Sequence, residues 1–122
     1  MTRTRGPASF ARADRLHHSA EFRYLQRHGA RAESAHFVMY AGRIRDDEKS
    51  RLGVTVSKRV GISVVRNALK RRVREAYRLR LRAMLDAGIS IVVIARAGAG
   101  QLTSAAIDGE LNAMMRAISQ RL

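Results

Sequence analysis

The chain has 122 residues, 46% of them hydrophobic, with 24 Lys or Arg against 10 Asp or Glu, a formal net charge of +14 and a pI of about 11.7. That length holds one core and not two, and the absence of cysteine excludes disulfides and cysteine-rich metal modules and fits a reducing cytoplasm. Self-repulsion at this charge calls for a compensating partner, with nucleic acid first and an anionic membrane surface second.

Residues 1–15 read as a basic, flexible tail broken by Gly6-Pro7, and residues 16–122 as a single folded domain. The tail has no apolar segment of the kind a secretory signal needs. Ser19 is placed to cap a short helix to about Arg27, with Glu21 in its first turn, Phe22 and Leu25 on its apolar face, and Gly29 as its stop. His36 to Ile44 alternates as a strand, with Phe37, Met39 and Ala41 on one face and Val38, Tyr40 and Ile44 on the other. After the polar turn Asp46 to Ser50, Leu52 to Ser57 forms a second strand, and the two are expected to pair as an antiparallel hairpin.

A long helix is predicted from about Ser63 to Leu85. Ser90 to Arg96 is a third strand, apolar on both faces, which suits a central strand covered on both sides. Its run Ile91 to Ala95 is far too short to span a bilayer. Gly98 and Gly100 loosen the next turn, and Thr103 or Ser104 caps a last helix with Ile107, Leu111, Met114, Met115, Ile118 and Leu122 at helical spacing. The order helix, strand, strand, helix, strand, helix gives an α+β sandwich, helices packed on a small sheet.

The long helix carries the charge. Between Lys58 and Arg82 stand ten Lys or Arg and one acid, Glu75. At about 100° per residue, Arg66, Lys70, Arg74 and Arg78, with Asn67 and Arg71, share an arc of about 140°. Val65, Leu69, Val73 and Ala76 lie opposite, with Tyr77 at the border. Arg80 falls inside the apolar stripe, so the pattern frays after Tyr77 and the last turns are expected to be exposed. A merely soluble face mixes signs, and this one does not, so it reads as a polyanion-binding face. A membrane-surface helix would show Trp or Phe in its apolar stripe, and this one has neither. Phe22, Tyr24, Phe37 and Tyr40 cluster in the first helix and strand. Beside a basic helix they offer a stacking surface for unpaired bases, which favours RNA; Phe22 and Phe37 are also candidates for ordinary core.

No active site emerges. The acids are scattered, whereas metal-dependent nucleases need converging carboxylates. The four histidines read as surface or core residues, Ser57 lacks a His or Asp at a triad spacing, and no phosphate loop is present.

The stretch Gly53-Val54-Thr55-Val56-Ser57-Lys58-Arg59-Val60-Gly61, followed by Arg66-Asn67 and Leu69-Lys70-Arg71-Arg72-Val73-Arg74-Glu75, resembles the signature of the protein subunit of bacterial ribonuclease P. Arg15-Leu16, Glu21-Phe22, His28-Gly29, Phe37 to Tyr40, Ile91 to Arg96 and Gln101-Leu102-Thr103 extend the resemblance over most of the chain. It implies a non-catalytic subunit, monomeric by itself and cytoplasmic, bound to a catalytic RNA that holds the Mg2+ ions and removes the 5′ leader from precursor tRNA. It implies a mixed sheet with a left-handed β-α-β crossover, a hand that general topology rules disfavour. By position it assigns RNA contacts to Lys58, Arg59, Arg66, Asn67, Lys70, Arg71 and Arg74, and a leader cleft to Phe22, Val38 and Tyr40. Two departures stand out: Ala68 occupies the third place of the usual Arg-Asn-Arg, and Gln26 stands where a second aromatic is common. A ribosomal protein or general RNA chaperone would share the charge and the fold but not this motif. A nuclease acting alone would need a carboxylate cluster.

Overall fold

The computed structural model describes residues 15, 16 and 19–122; the rest of the basic tail lies outside them. Helix α1 (Ser19–His28) precedes strands β1 (Ala30–Glu33), β2 (Phe37–Arg43) and β3 (Leu52–Val56). Helix α2 (Ser63–Ala76) follows, then β4 (Ile89–Ala95) and α3 (Ser104–Ser119). The sheet order is β1-β2-β4-β3, with β4 antiparallel to β2 and parallel to β3. The α+β sandwich is thus as expected, on a mixed sheet, with one strand more than the sequence showed.

The expected hairpin between the strands now numbered β2 and β3 does not form. β4 lies between them, Val92 facing Tyr40 on one side and Gly53 on the other. The apolar run of β4 explains this. Each interior strand position buries two side-chain faces, and β4 is the strand whose both faces are oily. Ile91, Val93 and Ala95 join Phe37, Met39, Leu52 and Val56 under α2 and α3, while Val92 packs with Leu16 and Leu25 on the α1 side. Helices therefore cover both faces, α1 on one and α2 with α3 on the other.

The long helix also departs from expectation. Ala76 is followed by a π-helical turn (Tyr77–Leu81) and a 3-10 turn (Arg82–Met84). In an α-helix each four-residue step drifts around the axis; a wider turn cancels that drift. Leu69, Val73, Tyr77 and Leu81 therefore stay on the core side, and the last two are fully buried. Arg80, half-buried, forms an ion pair with Asp108 of α3 at 2.9 Å. At the end of the chain, Thr103 is the cap of α3, its Oγ1 accepting from the Ala106 N–H at 3.1 Å.

Candidate nucleic-acid interface

The turn after β3 presents Lys58 and Arg59, both exposed, and is closed by the Val60 N–H donating to the Ser57 carbonyl at 3.1 Å. Ile62 at the start of α2 supplies no side-chain acceptor for the first N–H groups of that helix, and no acid stands in its first turn. Such an open, uncompensated helix start favours anions. Arg66 ties the two together: its Nε donates to the Gly61 carbonyl and its Nη2 to Ser63 Oγ, both at 3.1 Å. Asn67 and Arg71 are exposed, and Lys70 and Arg74 half-buried. Burial, and then the nearby charge of Arg15, push the Arg74 guanidinium below its ordinary pKa.

Among the described residues, none of Lys58, Arg59, Arg66, Lys70, Arg71 and Arg74 pairs with a carboxylate. Several of the acids are engaged with other arginines. Glu21 takes Arg45 at 2.7 Å, Asp47 takes Arg51 at 3.0 Å, Asp108 takes Arg80, and Glu33 takes Arg31 and Arg96. Glu75 pairs with Arg78, so the basic arc loses its last member to a neighbour on the same helix. What is left is a one-signed face from Lys58 to Arg74.

The residues expected to form a leader cleft lie on the other side of the sheet. Cross-strand rows there read Arg31, Tyr40, Val92, Gly53 and Glu33, Val38, Ile94, Thr55. The sequence reading set the aromatics beside the basic helix; the structure puts the sheet between them, because Tyr40 and Phe37 alternate and Phe37 belongs to the core under α2. Val38 is buried and Tyr40 half-buried, its hydroxyl accepting from Arg31 Nε at 3.3 Å. Phe22 reaches from α1 over Gly53 and lines an open hollow of about 370 Å³ with Ser19, Arg23, Gln26 and Thr55. The three predicted residues share a face, but Phe22 lies over β3 while Val38 and Tyr40 stand across β4 from it. Thr55 and Gln26 were missed as site residues. Arg15 was missed as well; it bridges to Leu52 on the outer edge of β3 and so stands where the two faces meet. No local signal marks the electrostatic influence of residue 15 on residue 74.

Among the described residues, no group of three or more His, Cys, Asp or Glu is placed to hold a metal, and no helix is long and apolar enough to cross a membrane. His36 is a clasp: its Nδ1 lies 2.7 Å from Glu110 Oε2 and its backbone N–H donates to Oε1 at 2.9 Å.

Fold and faces together define the class, a small α+β nucleic-acid-binding domain. The family model described as Ribonuclease P matches residues 10–119. The chain belongs to this family, and its place there is that of the protein subunit, which partners the ribonuclease P RNA in tRNA processing. It is 39% identical to the ribonuclease P protein component of Gluconacetobacter diazotrophicus over 105 residues, covering 86% of this chain and 90% of that one. With the component from Brevibacillus brevis the identity is 34% over 105 residues, covering 86% and 82%. The Staphylococcus aureus RNase P protein superposes with a TM-score of 0.78 at 30% identity, over 87% of this chain and 95% of that one. These matches favour the ribonuclease P reading over a ribosomal protein or a general RNA chaperone.

Proposed function

We propose that the two faces have two RNA clients. The face of Lys58, Arg59, Arg66, Asn67, Lys70, Arg71 and Arg74 binds the catalytic RNA. The α1 side of the sheet, with Phe22, Val38 and Tyr40, holds the single-stranded 5′ leader of precursor tRNA. In this reading the protein acts as a monomer in the cytoplasm, and the magnesium of the reaction is held mainly by the RNA. The observation that carries it is the run of cations without carboxylate partners on α2, while Glu21, Glu33, Asp47, Glu75 and Asp108 pair with other arginines. Cations kept unpaired at close quarters are suited to phosphates, whose binding releases counterions. The half-buried phenol of Tyr40 and the ring of Phe22 offer flat surfaces to unpaired bases.

The test is reconstitution. The protein alone should not cleave precursor tRNA. Added to its cognate RNA at low magnesium, it should raise cleavage at the mature 5′ end. Cleavage unchanged by the protein across magnesium concentrations would remove the proposal.

A further inference from the structure

The flank of α2 next to the basic arc is apolar and open. Counted from Arg66 at about 100° per residue, Asn67 and Arg71 end the arc, and Val64, Ala68 and Arg72 follow before the buried Leu69. Val64 is 73% exposed, and Ile62 just ahead of the helix 72%. A cavity of about 240 Å³ opens here between α2, the 3-10 turn Ala99–Gln101 and the start of α3. Val64, Ala68, Arg72, Gly100, Leu102 and Ser104 are among its lining residues. The 3-10 turn closes the cavity floor because residue 100 is glycine: a Cβ there would stand 2.5 Å from Val65 Cγ1. Ala68 leaves the mouth unfilled. Arg72 Nε is buried without a hydrogen-bond partner, a costly state for a charged donor.

We infer that this cavity is a subsite for one unpaired nucleotide of the RNA bound along α2. The inference rests on the reading of α2 as the RNA-binding face. A nucleobase combines an apolar face with acceptor atoms on its edge, and the cavity combines apolar walls with a donor that lacks an acceptor. The base lies against Val64, Ala68 and Leu102, and its edge accepts from Arg72. Charge decides the occupant. The cavity runs directly into the Asn67 and Arg71 end of the cationic face, and the N-terminal end of α3 adds partial positive charge at Ser104. An apolar protein segment would cover the walls but leave Arg72 Nε unsatisfied among like charges.

The experiment is chemical probing of the cognate ribonuclease P RNA, free and bound to wild-type, Ala68→Leu and Arg72→Gln proteins. Residue 68 is exposed on a helix, and leucine is nearly as good a helix former as alanine, so the filled variant should fold. Circular dichroism checks that, and Arg72→Gln, which fills nothing, decides if it does not. The wild type should protect at least one unpaired nucleotide that both variants leave reactive. The phosphate protections along α2 should persist, and affinity should fall by about tenfold, or about 1.4 kcal/mol. Unchanged protections and affinity in both variants overturn the subsite alone. A shift in the sedimentation of the RNA-free protein on filling the cavity, with protections unchanged, assigns it to a second copy and also overturns the subsite. No protection by the wild type overturns the reading of α2 as well.

Discussion

The Phe22 ring lies so close over Gly53 that a Cβ at residue 53 would stand 2.5 Å from its Cζ. Glycine on β3 is thus what lets an aromatic from α1 lie down on the sheet. Gly53→Ala should lift the ring and spoil the leader face while leaving α2 untouched. The expected result is an affinity for leader-bearing precursor tRNA lowered by about fivefold in the holoenzyme, with binding of mature tRNA and of the catalytic RNA unchanged. Equal losses with and without the leader would show that Phe22 serves only the core.

The basic face has a quantitative signature. Each phosphate engaged contributes about 0.7 to 0.9 to the slope of log affinity against log salt. Replacing Arg66 and Lys70 together by Ala should flatten that slope by roughly one to two and weaken binding most at low salt. Filter binding at several salt concentrations measures both. A parallel displacement with the slope intact would mean that these residues act by shape; Arg66, which anchors Gly61 and Ser63, should then be compared with Lys70 alone.

The Glu110 clasp sets an acid limit on stability. Burial raises its carboxyl, but hydrogen bonds from Ser34 and His36 outweigh burial and leave the pKa below the usual range. A depressed carboxyl contributes stability above its unfolded pKa and loses it as pH falls through its folded pKa. Glu110→Ala should therefore cost about 1–3 kcal/mol near neutrality. The gap to the wild type should narrow as the pH falls below the ordinary carboxylate range and through the depressed folded pKa. Urea denaturation at a series of pH values reads this directly, and a gap independent of pH would reduce Glu110 to packing.

The π-helical turn makes a sharper claim. Leu81 stands between Arg80 and Arg82, yet it is fully buried. Leu81→Ala should cost about 2–5 kcal/mol, as for other core leucines. A loss within the range of surface substitutions, below about 0.5 kcal/mol, would return this segment to the exposed end that the sequence pattern implies.

Where the sequence was legible, the information was local. The one-signed arc from Arg66 to Arg74 follows from helical spacing alone, and the last cap was narrowed to Thr103 or Ser104, of which Thr103 fills it. The two-faced apolar character of β4 was also visible, but its neighbours were not. Asp46 to Ser50 has the composition of a hairpin turn, with Asp47 accepting from Lys49 N–H and Arg51. It nevertheless carries the chain past the space that a strand some forty residues later fills. Strand β1 was invisible because Ala-Arg-Ala-Glu has no β-branched or aromatic residue; it exists because β2 offers an edge. The candidate faces were split by the same ignorance. Residue types named Tyr40 and Lys70, but only the alternation of β2 against a common core shows that they look in opposite directions.

The position of β4 has a consequence during synthesis. Ribosomes deliver the strands as β1, β2, β3, β4, whereas the sheet needs β4 before β3 can join it. Until Ala95 has emerged, β3 has no neighbour to receive it, and the oily stripe of α2 has no completed floor. Pairings between segments far apart in the chain form slowly, and half-made sheets invite the wrong partner. The dense positive charge of the intervening helix keeps such nascent chains apart by mutual repulsion. The residues proposed to meet RNA would thus also guard the protein before it has a fold.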